Sequence, residues 1–298
     1  AQPSANLLIA RSLPTRRHGV AFGVKQGAIP VASLLGGLAV PALTLTLGWR
    51  ATFLAGAAFA LAAAAAVPAP AARASRDRAT ERGGRDGRST VDVGAAPAGP
   101  RRPRGDRARA LVVLGCGVGL GAASAGALAS FLVAGGVDAG MGEGPAGLVL
   151  TAGSVVGIVL RLVLGARADR VGGDQLVIVS RLMALGSLAL LGYAIGGVPA
   201  HLLATPLAFG AGWAWPGLFN LSVVRRYPEA PGAATGMTQT GTYLGAGLGP
   251  LAFGALVDVV GWRPAWAGAA AAMALAAVAV GVGRRLADRL PVEPVAAG

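Results

Sequence analysis

Lys25 is the sole lysine of the chain and falls about 10 Å inside an apolar run, beside Gln26. An ammonium at that depth is costly unless it binds something, so it is a candidate ligand for an anionic solute or for a carboxylate of the protein. A lysine can also snorkel that distance to an interface, and both readings stay open. Other polar groups sit in similar runs: Gln2 and Asn6 near Pro3, Asn220 near Pro216, and Gln239. Trp213 and Trp215 lie too deep for an interfacial belt, so they either line a ligand cavity or fill space between helices. Tyr243 is a weaker member of the set. Together these groups offer amide hydrogen bonds, indole faces and one cation, the means to hold a small molecule reversibly.

The chemistry of catalysis is not expected. The apolar runs contain no Asp or Glu, His18 and His201 are far apart, and Cys116 is alone. No nucleophile, acid–base pair or metal-ligand cluster follows from such a set, so the expected catalytic residues, metals and cofactors are none. With one lysine there is no Gly-Lys-Ser/Thr phosphate loop. The run Gly115-Cys-Gly-Val-Gly-Leu-Gly121 has the wrong spacing for a dinucleotide loop and reads as a close-packing helix face. Arg161 and Arg181 read as flanking the ends of their runs, where headgroups or Asp169 would take them.

The elements that hold these groups are membrane helices. The chain is 54% hydrophobic and 13% charged, with a mean hydropathy of +0.62. Windows of about 20 residues give spans near 20–46, 51–68, 110–134, 145–165, 175–196, 201–223, 234–257 and 264–283. These runs are twice the roughly 10 residues of a barrel strand, which makes the expected class all-α. Arginines crowd one set of loops, with Arg50 and Arg263 the exceptions, and place that side in the cytoplasm. The stretch 71–109 is basic and rich in Gly and Pro. Without interleaved aromatics it reads as a disordered cytoplasmic linker and not a nucleic-acid surface.

A shift of 213 residues aligns two long segments without a gap. Gly19, Gly23 and Gln26 fall on Gly232, Gly236 and Gln239, and Gly48-Trp49-Arg50 falls on Gly261-Trp262-Arg263. Lys25 falls on Thr238. Such long repeats in hydrophobic chains mark transporters built from two similar halves, here related by an axis along the membrane normal. The counterpart of residue 110 would precede Ala1 by about 100 residues, so the expected chain corresponds to helices four to twelve of a twelve-helix design. About three N-terminal helices are missing from that design.

The connection Gly165-Ala-Arg-Ala-Asp169-Arg170-Val-Gly172-Gly173 resembles the loop signature of the major facilitator superfamily, placed between two spans as in its second half. Gly241-xxx-Gly245-xxx-Gly249-Pro250-xxx-Gly254 is similar to that family's helix-eleven motif. The likeness covers essentially the whole chain, and the Lys25–Pro30 stretch looks closest to cyanate-permease-like and drug-export members. It implies two bundles around a cavity: 1–68 as the rest of the first, 69–109 as linker, 110–283 as the six-helix second, and 284–298 as a cytoplasmic tail. It further implies a secondary transporter of a small solute working by alternating access, with the lipid bilayer as partner and a coupling proton or ion left open. The arginine-heavy, lysine-poor, Ala/Gly-rich composition suggests a high-GC bacterium and hence the cell (inner) membrane. Gly165, Asp169, Arg170 and Gly173 would form the gating loop. By pseudo-symmetry Asp169 should meet the start of the span near Gly19–Ala21, or Arg16 or Arg17; a solvated turn is the alternative. A non-transporting or structural membrane protein is the competing function.

Overall fold

The computed structural model describes residues 6, 8, 9, 12–66 and 105–289. Eight long helices follow in chain order: α1 (His18–Leu47), α2 (Trp49–Ala65), α3 (Asp106–Asp138), α4 (Glu143–Val171), α5 (Gln175–Ile195), α6 (Val198–Arg226), α7 (Pro231–Val260) and α8 (Trp262–Asp288). All but α2 are long and apolar enough to cross a bilayer, and α2, at 17 residues, is at the short end of that range. No strand occurs among the described residues. The protein is an all-α, multi-pass membrane protein. Gln2, the stretch 69–104 of the expected linker, and 290–298 of the expected tail lie outside the described residues.

Several helices outrun their apolar cores. The expected 145–165 becomes Glu143–Val171, a turn and a half longer at its C-terminal end. Residues 106–109, expected in the linker, already belong to α3, and 284–288, expected in the tail, end α8. Helix geometry does not stop where hydrocarbon stops. Charged residues propagate it into the aqueous layer as readily as leucine does.

Two compact units divide the chain: Ala1–Pro41 with Pro100–Gly298, and Ala42–Gly99. In the smaller, the end of α1 turns through Gly48 into α2, with Thr44 and Thr52 hydroxyls 3.0 Å apart. Gly48 takes φ 84° and ψ 161°, and Gly261 takes φ 83° and ψ 175° before Trp262. The repeated Gly-Trp-Arg thus builds the same left-handed turn twice, which only glycine adopts without strain.

The larger unit is held by two glycine seams. Along α3 and α7, a Cβ placed on Gly241 or Gly245 would collide with the carbonyls of Gly115 and Gly119, and Gly249 presses on Ala123. The glycine run of α3 and the helix-eleven-like motif are therefore two sides of one backbone-to-backbone contact. Dispersion replaces the hydrophobic effect as its source of stability in lipid. Along α1 and α4, Gly19 meets Gly165 and a Cβ on Gly23 would lie 2.8 Å from the Arg161 carbonyl oxygen. Serine hydroxyls join α8 to its neighbours, Ser124 donating to Ala269 O at 2.9 Å and Ser180 to Ala277 O at 2.8 Å. Phe131, Tyr193, Phe253, Trp262 and Trp266 pack together between α3, α5, α7 and α8, with centroids 4.6–6.4 Å apart and most ring planes tilted to one another.

Helix α6 is broken. It runs as an α-helix over Val198–Leu207, widens to a π-turn at Ala208–Gly212, unwinds at 213–215 and resumes at Pro216. Pro206 and Pro216 have no N–H to complete the ladder, which leaves carbonyls free at membrane depth. Such backbone survives only where other groups of the protein satisfy it.

Candidate functional site

The carboxylate of Asp169 closes the α1–α4 seam. Its Oδ1 accepts from Gly19 N at 2.7 Å and its Oδ2 from Val20 N at 2.9 Å. These are first-turn amides of α1, whose N-cap, Arg17, supplies no side-chain acceptor. Both carboxylate oxygens are thus aimed at the positive end of a helix dipole, a charge-assisted arrangement. Arg225 of α6 adds a third partner, Nη2 to Oδ1 at 3.2 Å, where Arg16 or Arg17 was the expected cation. Only 6% of the Asp169 side chain is exposed. The solvated-turn alternative does not describe this geometry.

The glycines of the loop signature have structural reasons here. Gly165 lets α1 approach, and Gly172 and Gly173, with φ of 67° and 82°, end α4 by turning left-handed. Arg170 is exposed. One residue beyond the signature, Asp174 accepts from Leu176 N at 3.1 Å and so caps α5. It also pairs with Arg226 and Arg284, each at 2.9 Å, and both arginines reach Asp288. This four-charge network ties the ends of α6 and α8 to the α4–α5 turn.

Partial burial pushes the Asp174 carboxyl up, but hydrogen bonds from Arg284 and Arg226 outweigh it and hold the group below its ordinary value. A depressed carboxylate contributes stability above its unfolded-state value near pH 4, and that stability is lost as pH falls through the lower, folded-state value. Thermal stability should therefore be flat in this respect from pH 7 to about 4 and fall below it. Asp174→Asn should be less stable at pH 7 and lack that part of the acid limb; equal melting curves for both proteins at pH 7 and 3 would contradict the assignment.

The polar residues of the spans sort into separate groups. Lys25 Nζ donates to Asn6 Oδ1, and Asn6 is fully buried. Gln239 Nε2 donates to Asn220 Oδ1 at 3.2 Å, joining α7 to α6. Gln26 is buried with Oε1 unpartnered among the described residues. Trp215 belongs to the packing alternative. Its indole N–H donates to Gly212 O at 3.0 Å, and its ring lies against Phe219 and over the space that a side chain at Gly121 would fill. Tyr243, 52% exposed, joins none of these groups.

Trp213 has a partner that the apolar pattern did not single out. Arg161 sets its guanidinium 5.1 Å from the Trp213 ring centroid and donates from Nη2 to the Trp213 carbonyl, one of those freed by the break in α6. Phe209 stands edge-on to the same indole at 5.0 Å. Arg161 does not flank a helix end and does not reach Asp169. Ten residues separate it from Val171, about 15 Å, which puts it near the middle of α4. At this level α1, α4 and α6 converge, since Gly23 abuts Arg161 and Gly217 lies 3.5 Å, as a Cβ would, from the Phe22 carbonyl oxygen.

The family model described as Major Facilitator Superfamily matches residues 136–297, just over half of the chain. The chain belongs to that superfamily. A comparison with curated proteins finds no match. In this major facilitator protein the match begins at the end of α3 and takes in the loop signature, the broken α6 and the α7 seam. The matched family is one of membrane transporters, so the Asp169 contact and the polar groups belong to a chain of a transport family.

Proposed function

We propose that this protein is a secondary active transporter that carries a small solute by alternating access, and is not an enzyme. It works in the cell membrane with the Asp169 end facing the cytoplasm and the arginine-rich stretch 69–104 on the same side. The Asp169 carboxylate carries the reading. It fastens the N-terminus of α1 to α4 and α6 through bonds that a helix shift of an ångström or two would undo. A contact of this kind is worth on the order of 1–2 kcal/mol, enough to bias two balanced states without locking either. The polar residues Asn6, Lys25, Gln26, Asn220 and Gln239, with Trp213, supply the solute-facing groups, and coupling to a proton or another ion provides the driving force.

The test is flux. Protein reconstituted into liposomes is offered a panel of small anionic, neutral and cationic solutes, with and without an imposed pH gradient. Saturable uptake of at least one solute, sensitive to collapse of the gradient, is the expected result. Passive leakage at the rate of empty liposomes for every solute would instead favour a membrane protein without turnover.

A further inference from the structure

Arg161 is 2% exposed, and its Nε and Nη1 meet no acceptor among the described residues. Its one hydrogen bond, from Nη2 to Trp213 O, uses a single N–H of the five that a guanidinium carries. Nor has it an ion-pair partner among those residues. A neutral glutamine amide could cap the same carbonyl at far lower desolvation cost, so the freed backbone of α6 does not account for a charge buried within a span.

Two further observations fall at the same place. The indole of Trp213 lies against the guanidinium, and cation–π contact fixes its plane and leaves its edge for in-plane acceptors. The π-turn at Ala208–Gly212 immediately precedes that indole, and π-turns within helices concentrate at functional sites. Phe209, the second residue of that turn, backs the indole.

We propose that Arg161, oriented by Trp213, is an anion subsite that binds the carboxylate of a small organic acid, the substrate class of this transporter. This deepens the transport reading and rests on it. A planar guanidinium edge with free N–H groups matches the two oxygens of a carboxylate, and the bound anion neutralises a charge that the described residues leave uncompensated. Lys25, whose ammonium already donates to Asn6, is a separate group.

Binding is measured apart from flux. The purified protein is titrated with sodium formate, acetate, lactate, benzoate and succinate, reading tryptophan fluorescence and melting temperature. Acetamide, benzamide and sodium chloride at matched ionic strength serve as controls. At least one carboxylate should bind saturably and raise the melting temperature, with its amide and chloride inert. Arg161→Gln should weaken that binding about 100-fold or more, and Arg161→Lys, which keeps the charge but loses the fork, about tenfold. If Arg161→Gln does not fold, the carboxylate-against-amide comparison in the unaltered protein decides alone. Absence of saturable binding across the panel, equal effects of carboxylates and their amides, or unchanged binding in Arg161→Gln would each overturn the subsite. Saturable flux of a neutral or cationic solute, with no carboxylate bound, would remove the subsite and leave the transporter standing. Arg161-dependent binding without flux of any solute would do the reverse.

Discussion

Asp169→Asn should leave the protein folded while reducing turnover about tenfold or more. The two oxygens of Asp169 each face a backbone N–H of α1, at 2.7 and 2.9 Å. An asparagine of the same shape presents one oxygen and one NH2, so one amide would point its hydrogen at another donor. The charge facing the helix dipole and Arg225 disappears as well. Losing about 2 kcal/mol from one of two balanced states shifts their ratio roughly 30-fold. The protein would then dwell with the Asp169 end open. The measurement is twofold: initial uptake rates in liposomes, and the reactivity of a cysteine introduced at Ala168, which is buried beside Asp169. Slower uptake with faster labelling is the expected pair. Wild-type uptake together with wild-type labelling would show that the bond carries no gating energy.

The second large effect concerns the other seam. Gly245→Val should prevent a stable fold, with a loss at or above the roughly 3 kcal/mol upper end usual for overpacking. The position explains the size. A Cβ at Gly245 collides with the Gly119 carbonyl, which is backbone and cannot rotate away as a side chain could. Separating α3 from α7 to make room would forfeit the close approach on which their association in lipid depends. Gly247→Val, two residues on, meets nothing within 4 Å and serves as control. Size-exclusion profiles of detergent extracts after graded heating should show Gly247→Val melting with the parent and Gly245→Val aggregated from the start. Comparable melting of both variants would mean that the seam is looser than drawn.

Much of this was legible in residues. Glycines at every fourth position need no partner to announce a helix contact, and the resemblance of the Asp169 loop to the family signature, with the pseudo-symmetry of the halves, implied its contact with Gly19. The same reasoning failed at Arg161, because the apolar run ends near residue 165 whereas α4 continues to Val171. A residue that seems to sit at a helix end is then some 15 Å inside it. Hydropathy reports where lipid ends and not where helical hydrogen bonding ends. The cationic partner of Asp169 was misplaced for a related reason. Arg225 lies 56 residues along the chain, and only the return of α6 to the same membrane face brings it near. Between cavity-lining and packing tryptophans the sequence has no means of choosing. Trp213 and Trp215 are two residues apart on unwound backbone, where no helical period says which way either side chain goes.

The interruption of α6 divides that helix into two rods joined by a knee. The rod of Pro216–Arg226 carries Arg225 and Arg226 and is fastened at its far end to Asp169, Asp174 and Asp288. The rod of Val198–Leu207 is fastened elsewhere, through Thr205 to Tyr193 at 3.0 Å. Arg161 and Trp213 sit at the joint itself. A rigid helix would pass any tilt of one end to the other undiminished. A knee lets the ends of α6 follow different neighbours, and it makes the angle between the rods depend on whatever occupies the joint.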